Sequence, residues 1–263
     1  MIDIHSHILP GLDDGAENFE QSFEILNELI NQGVKEVIVT PHIISGSYDN
    51  NRKTIDEKFD ELSAKIVKNK LQIKIHKGAE IYFEPNLIEK VKREKLSLAG
   101  SSYILVESDL QRFPNNFFET LFEFQFEDFI PILAHAERYF QFINNFDFLL
   151  DIANRGILIQ TNCGCLLGDY GEKIQVLTHK MLEVGCIHFV ASDVHNLAKR
   201  PILMDAAYQY LSEKYSENLA ELLMYENPKK VINNEPFENI FRQIYQEKKY
   251  KTSFLERVKN FFS

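Results

Sequence analysis

The sequence predicts an α/β fold in which one closed or nearly closed (β/α) barrel accounts for most of the chain. Short apolar segments recur roughly every 30 residues with helical periodicity between them, as in successive βαβ units of a parallel sheet. The composition shows no break before about residue 200, which favours one domain over two. A doubly wound open sheet is the alternative, but its glycine-rich dinucleotide-binding fingerprint is absent from the sequence.

Seven apolar segments have the length and composition of buried strands. They begin with Ile2 and Ile4 and continue at residues 36–40, 71–75, 103–106, 130–134, 157–160 and 187–191. Amphipathic helices are predicted between them, at residues 19–32, 53–69, 85–94, 115–126, 146–154 and 173–184. Extra C-terminal helices are predicted at residues 202–214, 216–224 and 237–247. The predicted barrel domain therefore spans residues 1–247.

The chain of 263 residues has an ordinary hydrophobic content of 44% and a formal net charge of −10. Proteins that hold nucleic acid through its phosphates carry an excess of lysine and arginine. The acidity therefore argues against nucleic acid as a partner and against an exonuclease. It suits a site built from carboxylates that collect divalent cations.

The three cysteines, Cys163, Cys165 and Cys186, lack zinc-finger spacing, and their odd number predicts reduced thiols in a cytoplasmic protein. A ligand or redox role for Cys163 and Cys165 is the alternative. No apolar run approaches the roughly 20 residues that span a membrane, and the N-terminus lacks the pattern of a signal peptide. We therefore expect a cytoplasmic location.

Two histidines separated by one residue, His5 and His7, follow the first apolar segment. On an extended strand, side chains two residues apart point to the same side, so both imidazoles can bind one metal ion. Asp13, Asp14 and Gly15 follow in a predicted turn, which brings two more oxygen ligands near the strand end. A pair of ordinary surface histidines is the alternative for this motif taken alone.

Candidate ligands follow most of the predicted strands at their carboxyl ends. They are His5, His7, His42, Glu80, Glu107, His135, Asp193 and His195. In parallel α/β folds these ends converge on one face, so residues far apart in the chain become neighbours. Imidazole nitrogens mixed with carboxylate oxygens favour manganese, iron or zinc over magnesium and calcium. The ligands outnumber the four of one tetrahedral ion, and we expect two or three divalent ions that share carboxylates.

Such a cluster predicts hydrolysis at phosphorus, because divalent ions lower the pKa of bound water and hold both the attacking and the leaving oxygen. Arg138 and Arg200 lie on predicted loops at the same face, and the planar guanidinium group matches phosphate oxygens. An ordinary surface position is the alternative for each arginine. The remaining histidines fall elsewhere in the pattern and are predicted to be structural: His76, His179 and His188.

Residues 248–263 alternate basic with apolar residues at helical spacing. One prediction is a terminal helix that packs on the barrel. The other is a basic amphipathic helix that contacts a membrane surface or a partner protein, such as a kinase. The second prediction would add a peripheral position at the inner membrane to the expected cytoplasmic location.

Five motifs of this sequence resemble the polymerase and histidinol phosphatase (PHP) superfamily. They are His5-Ser-His7, Thr40-Pro41-His42, Gly78-Ala-Glu80-Ile81, Ala134-His135-Ala136-Glu137-Arg138 and Ala191-Ser-Asp193-Val-His195-Asn196. Within that superfamily, the opening MIDIHSHILPGLDDGA is similar to the bacterial manganese-dependent protein-tyrosine phosphatases of capsule and exopolysaccharide systems. The resemblance extends from Met1 to about Arg200, and the basic, apolar C-terminal segment also has a counterpart in that family.

The resemblance implies a distorted (β/α)7 TIM-like barrel with three metal ions, of which manganese is the first choice. The implied ligands are His5, His7, Glu80 and Asp193 for the first ion, Glu80, Glu107 and His135 for the second, and Asp14, His42 and His195 for the third. The expected catalytic residues are Arg138, Arg200 and Asp193, and the two arginines would bind the phosphate. The cysteines are not nucleophiles on this template, and no phosphocysteine forms.

The implied activity is hydrolysis of phosphotyrosine by metal-activated water, on the C-terminal tyrosine cluster of an autophosphorylating bacterial kinase that regulates polysaccharide export. Two departures from the family pattern bear on selectivity. Ala136 stands where many relatives have proline, and Ser108-Asp109 stands where they often have Phe-Pro. Two alternatives remain: a small-molecule phosphatase, such as one for histidinol phosphate, and a docking module that metal ions merely stabilise.

Overall fold

The computed structural model describes residues 1–197 and 201–237. Its strands are β1 (Ile2–Asp3), β2 (Glu36–Val39), β3 (His42–Ile43), β4 (Lys74–Lys77), β5 (Glu80–Tyr82), β6 (Tyr103–Glu107), β7 (Ile130–Leu133), β8 (Leu158–Asn162) and β9 (Phe189–Ala191). Its α-helices are α1 (Phe19–Asn31), α2 (Arg52–Asn69), α3 (Leu87–Glu94), α4 (Phe117–Phe126), α5 (Phe140–Asn144), α6 (Phe146–Asn154), α7 (Cys163–Leu167), α8 (Glu172–Glu183), α9 (Met204–Lys214), α10 (Glu217–Glu221) and α11 (Asn227–Asn233).

The strands form two adjoining sheets. β1, β2 and β4 form the first sheet, and β3, β5, β6, β7, β8 and β9 form the second, in that order. Every pairing between these strands is parallel. β3 continues β2 beyond Thr40 and Pro41, and β5 continues β4 beyond Gly78 and Ala79. The strands therefore occupy the seven positions that the sequence predicts.

Backbone hydrogen bonds join the first strand position to the last. Ser6, just beyond β1, forms a parallel bridge with Val194, just beyond β9. The amide of Asp193 donates to the carbonyl oxygen of His5 at 3.0 Å. The amide of His7 donates to the carbonyl oxygen of Val194 at 2.8 Å. The predicted (β/α)7 barrel is confirmed, and the alternative of an open doubly wound sheet is wrong.

Alternate residues along each strand face the barrel interior. In β6, Tyr103 and Leu105 belong to an apolar cluster inside the barrel, whereas Ile104 and Val106 pack in the larger apolar layer beneath the helices. Glu107 continues the inward series at the carboxyl end of the same strand. The interior is therefore apolar along most of its length and polar where the strands end.

The third strand begins later than the predicted segment 71–75, because the end of α2 takes part of that segment. Lys70 adopts a left-handed conformation with φ of 56°, and the amide of Leu71 donates to the carbonyl oxygen of Ile66. Leu71 therefore completes the helix end rather than starting a strand. The first paired residue is Lys74, opposite Glu36.

Short helices were the elements that the sequence did not predict. α5 and α7 have five residues each, too few for a helical period to stand out. The predicted helix 216–224 is α10 followed by a π-helical turn at Leu222–Glu226 and by α11. Pro228, the second residue of α11, follows shortly after that turn, and its nitrogen cannot donate a helical hydrogen bond.

Three predictions fall on residues outside those that the structure describes. They concern Arg200, residues 238–247 of the helix predicted at 237–247, and the basic amphipathic segment 248–263 with its boundary at residue 247. Within residues 1–197 and 201–237, no helix combines the length and the hydropathy needed to cross a membrane.

Candidate metal centre

Glu80, the first residue of β5, is fully buried and lies among four imidazole groups. Its Oε2 is 3.1 Å from His5 Nε2, 3.3 Å from His7 Nε2 and 3.0 Å from His42 Nδ1. Its Oε1 is 3.0 Å from His135 Nε2. A carboxylate with imidazoles on both oxygens has the arrangement expected of a group that bridges two cations.

Two further carboxylates extend the cluster beyond Glu80. Glu107 Oε1 lies 2.8 Å from His42 Nδ1, and Glu107 Oε2 lies 3.6 Å from His135 Nε2. Asp193 Oδ1 lies 3.5 Å from the Nε2 atoms of both amino-terminal histidines, His5 and His7. Each carboxylate therefore shares two imidazoles with Glu80.

Asp14 and His195 complete the cluster on its more exposed side. Asp14 Oδ1 lies 3.5 Å from His42 Nε2 and 3.4 Å from His195 Nε2, and its side chain is 47% exposed. The ring of His195 stacks on that of His7 with 3.9 Å between centroids. All nine predicted ligands thus lie in one cluster at the carboxyl ends of the strands. Glu107 lies closer to His42 (2.8 Å) than to His135 (3.6 Å). His42 therefore contacts members of both the second and the third implied ligand sets, through Glu107 and Asp14.

The donor atoms of this cluster fit divalent metal ions. Three overlapping groups have ligand atoms within 4.8 Å of one another: His7, Asp14, His42 and His195; His5, His7 and Asp193; and His42, Glu80 and Glu107. In the last group, His42 Nδ1 lies 3.0 Å from Glu80 Oε2 and 2.8 Å from Glu107 Oε1, but these buried atoms form no hydrogen bond of acceptable geometry among the described residues. Buried polar atoms without partners are rare, and a cation in contact with all three would satisfy them.

Opposite charges hold the cluster together. Burial alone would raise the pKa of Glu80 and of Asp193, but the neighbouring imidazoles, His5 foremost, hold both pKa values well below their usual range. Burial alone would lower the pKa of His135, but the carboxylates of Glu107 and Glu80 raise it to about 9. The carboxylates are therefore charged and attract positive charge to this site.

The backbone is left-handed at two of the predicted ligands. His135 has φ of 35° and Asp193 has φ of 52°. This conformation costs about 1–2 kcal/mol for a residue with a side chain, and it concentrates at functional sites. The two strained residues lie just beyond the ends of β7 and β9, where their side chains join the cluster.

Asp13 differs from the prediction, which placed it with Asp14 as an oxygen ligand. Its Oδ2 accepts hydrogen bonds from His7 Nδ1 at 2.7 Å and from the amide of His42 at 2.9 Å. Its Oδ1 accepts from the amide of Gly15 at 3.0 Å. Because both oxygens are occupied in this way, Asp13 orients its neighbours and only Asp14 reaches the cluster.

Arg138 lies at the edge of the cluster, as predicted, on the 3₁₀ turn Ala136–Arg138 that follows β7. Its Nη1 is 3.5 Å from Asp193 Oδ2, and its guanidinium group lies 5.4 Å from the ring of Tyr170. Burial would lower the pKa of Arg138, but Asp193 raises it, so the side chain remains charged.

A second aromatic ring near the cluster is that of half-buried Tyr48. It stacks on the ring of His42, with 5.7 Å between the ring centroids and 12° between the ring planes.

The cysteines take no part in the cluster. Cys163, Cys165 and Cys186 are buried free thiols, and none belongs to the candidate metal groups of the described residues. Burial raises the pKa of all three, to about 12 for Cys186. Nucleophilic attack requires the thiolate, so these thiols are unsuited to it.

The three histidines predicted to be structural lie outside the cluster. His76 Nε2 is 2.8 Å from Glu36. The ring of His179 hydrogen-bonds to two tyrosine hydroxyl groups. His188 accepts a hydrogen bond from the amide of Ile159.

Two polar residues of β8, Gln160 and Asn162, contact the cluster and were not predicted. Gln160 is hydrogen-bonded to the ring of His5, and Asn162 to the carboxylate of Asp193. The sequence carries one signal for them. They stand at alternate, inward-facing positions of β8, in series with the apolar Leu158, where a polar side chain needs a polar partner.

Comparison with known proteins gives consistent matches over nearly the whole chain. Residues 1–233 match the family described as "Capsular polysaccharide synthesis, CpsB/CapC". Tyrosine-protein phosphatase YwqE of Bacillus subtilis (strain 168) is 32% identical over 255 residues, which cover 97% of this chain and 99% of that protein. Tyrosine-protein phosphatase CpsB of Streptococcus pneumoniae is 33% identical over 240 residues, which cover 88% of this chain and 98% of that protein.

A solved structure shares the fold as well as the sequence. It is described as "Crystal structures of YwqE from Bacillus subtilis and CpsB from Streptococcus pneumoniae, unique metal-dependent tyrosine phosphatases". It superposes with a TM-score of 0.86 at 30% sequence identity and covers 90% of this chain and 96% of its own.

Proposed function

The chain belongs to the CpsB/CapC family of capsular polysaccharide synthesis, and we propose that it is a metal-dependent protein-tyrosine phosphatase. The observation that carries the proposal is the cluster around Glu80, in which imidazoles and carboxylates from six strand positions converge on one another. Relatives named tyrosine-protein phosphatases match over at least 88% of this chain. A small-molecule phosphatase and a docking module are thereby less well supported.

Two or three divalent ions, manganese first and iron or zinc as alternatives, would be held by the nine clustered side chains. His5, His7, Glu80 and Asp193 would hold the first, Glu80, Glu107 and His135 the second, and Asp14, His42 and His195 the third. The overlap of the candidate ligand groups supports shared carboxylates. When bound, such ions activate water at neutral pH and offset negative charge on phosphate oxygens.

Arg138 would bind the phosphate group of the substrate. Its guanidinium is charged, partly exposed and adjacent to Asp193, so it faces the edge of the proposed metal site. Two parallel N–H groups of arginine match two phosphate oxygens. Arg200, outside the described residues, is expected from the sequence to supply a second guanidinium group.

Tyr48 would contact the aromatic ring of phosphotyrosine. Its half-buried ring covers His42, whose two nitrogens approach Glu107 and Asp14. An aromatic ring at this position can pack against the aryl group of the substrate while the phosphate lies over the cluster. The buried cysteines support hydrolysis without a phosphocysteine.

The activity is tested by phosphate release from a phosphotyrosyl peptide with manganese, with a chelator, and in three variants, His42→Ala, Asp193→Ala and Arg138→Ala. Each variant and the chelator should abolish or strongly reduce turnover. His179→Ala, which changes a histidine outside the cluster, should retain it. Turnover that survives chelation and all three substitutions would contradict the proposal. Faster turnover of histidinol phosphate than of the peptide would favour the small-molecule alternative.

The expected substrate is the phosphotyrosine cluster of a bacterial kinase, and the expected location is the cytoplasm. The match to a capsular polysaccharide synthesis family supports a substrate in that process. Residues 248–263 would hold the enzyme at a membrane surface or at the kinase. Their removal should then abolish co-localisation and leave peptide turnover intact. Loss of turnover with retained localisation would mean that the segment packs on the barrel and stabilises it.

A further inference from the structure

We propose that Gln160 and Asn162 are positioning residues, which fix the tautomer of His5 and the orientation of Asp193 for metal binding. Both lie on β8, a strand that supplies none of the proposed ligands. Their role presupposes the proposed metal site, but their geometry is present in the protein side chains alone. The two residues form a directed chain of hydrogen bonds that begins at one backbone amide.

That amide belongs to His135. It donates to Gln160 Oε1 at 2.8 Å, and because a backbone N–H can only donate, the side-chain oxygen must occupy this end of the Gln160 amide group. The same oxygen lies 3.0 Å from His5 Nδ1. An amide oxygen only accepts, so His5 Nδ1 must carry the proton.

In the neutral ring of His5, the proton on Nδ1 leaves the lone pair on Nε2. This atom lies 3.1 Å from Glu80 Oε2 and 3.5 Å from Asp193 Oδ1, at the centre of the cluster. Metal ions bind the deprotonated nitrogen of an imidazole, so the Gln160 contact selects the binding-competent tautomer.

The chain continues from Gln160 to Asp193. With its oxygen at His5, Gln160 presents Nε2 to Asn162 Oδ1 at 2.8 Å. Asn162 must then present Nδ2 to Asp193 Oδ2, which it does at 2.6 Å. Occupation of Oδ2 directs the other oxygen of Asp193 toward the proposed ion. The same amide thus determines the direction of every hydrogen bond in the chain.

Both side chains are buried, so the loss of either one should weaken metal binding. Gln160 is 0% exposed and Asn162 is 1% exposed, so water cannot replace a lost partner without new space. Partners of metal-binding histidines and carboxylates typically contribute about 10- to 100-fold to metal affinity or activity. We expect effects of that size from substitutions at either position.

The first variant to test is Gln160→Met, which keeps the length of the side chain and removes both polar atoms. NMR of the metal-free protein at alkaline pH, through two-bond nitrogen-proton couplings of the imidazole, should show His5 shifting from the Nδ1–H to the Nε2–H tautomer. The affinity for manganese should fall by about 10- to 100-fold. Gln175→Met is the matched control, because the side chain of Gln175 donates to the carbonyl of Leu166, away from the cluster.

Two conservative variants separate positioning from general destabilisation. Gln160→Glu keeps an acceptor for His135 and His5, so the Nδ1–H tautomer should persist. Asn162→Asp keeps the shape but sets an oxygen against Asp193 Oδ2, so manganese affinity should fall while the His5 tautomer is unchanged.

An Nδ1–H tautomer in Gln160→Met together with wild-type manganese affinity would overturn the proposal. If Gln160→Met does not fold, wild-type affinity in folded Asn162→Asp would overturn it instead. The NMR measurement requires neither metal nor turnover. A protein inactive on phosphotyrosine but with the expected tautomer shift would contradict the proposed function and leave the positioning role intact.

Discussion

The carboxylate of Asp13 accepts a hydrogen bond from His7 Nδ1 at 2.7 Å and so orients an imidazole whose other nitrogen belongs to the cluster. The amides of Gly15 and His42 donate to the same carboxylate. One buried side chain in a loop therefore connects the first strand position to the second. Burial would lower the pKa of His7, but the neighbouring carboxylates, Asp13 first, raise it well above its usual value.

Asp13→Asn is expected to weaken manganese binding by about 10- to 100-fold. The amide nitrogen of asparagine must face either the N–H groups of His7 and His42 or the N–H of Gly15, and neither can accept a hydrogen bond. Isothermal titration of the metal-free protein with manganese measures the loss. Asp147→Asn, an exposed change on α6, is the control. Equal affinities in the two variants would contradict the role of Asp13.

Gly15→Ala is expected to destabilise the fold by about 3 kcal/mol, near the upper end of overpacking effects. A Cβ at this position would lie 2.1 Å from the carbonyl oxygen of His7 and 2.5 Å from its Cβ, so the backbone must move. Denaturant unfolding measures the change.

Gly46→Ala serves as the control for this prediction. Gly46 has φ of +82°, and a Cβ added there would meet no atom of the described residues within 4 Å beyond its chain neighbours. Only conformational strain of about 1–2 kcal/mol is therefore expected. A loss for Gly15→Ala no greater than for Gly46→Ala would show that the contact with His7 relaxes freely.

Tyr48→Ala is expected to raise KM for a phosphotyrosyl peptide by about 2- to 10-fold, the range of one aromatic pair, with little change in kcat. Tyr48→Phe keeps the ring and should retain the wild-type KM. Steady-state kinetics with the peptide and with an alkyl phosphate measure the difference. An equal rise in KM for both substrates would contradict a contact between Tyr48 and the substrate ring, and would mean that Tyr48 only holds His42 in position.

His188 predicts a pH dependence of stability. Its Nδ1 accepts the amide of Ile159 at 3.0 Å, and burial lowers its pKa from 6.5 to about 3. The unfolded chain therefore takes up this proton below pH 6.5 and the folded chain does not. The contribution to stability is complete above pH 6.5 and is lost as pH falls toward 3, at up to about 1.4 kcal/mol per pH unit.

His188→Asn tests this linkage, because asparagine retains an acceptor for Ile159 and does not titrate. Denaturant unfolding of the metal-free wild type and the variant at several pH values gives the two slopes. The variant should show the shallower loss of stability between pH 6.5 and the acid limit of folding. Parallel slopes would mean that His188 is protonated in the folded protein as readily as in the unfolded chain.

The positions of the candidate ligands could be predicted because they follow from the period of the strands. Glu107 and Asp193 each come directly or shortly after an apolar strand, and parallel strands place those ends together. Nine of the predicted ligands therefore lie in one cluster, whereas Asp13 orients His7 instead of joining it. The same rule placed Arg138 at the edge of the cluster.

The roles of neighbours could not be predicted in the same way. Asp13 and Asp14 are chemically identical and adjacent, yet one orients His7 and the other contacts His195. The division depends on the close approach of Gly15 to the backbone of His7, which turns the loop. A local sequence pattern does not contain that contact.

The sequence by itself determined the barrel and the kinds of atoms at its mouth, since alternation along strands and the residues at strand ends are properties of the chain order. Only the tertiary structure decided which nitrogen of each imidazole faces inward and that β8, without a ligand, holds His5 and Asp193 in place. Hydrogen-bond direction is set by partners brought together across the barrel. Those partners are separated by up to 155 positions in the chain, so no local pattern encodes them.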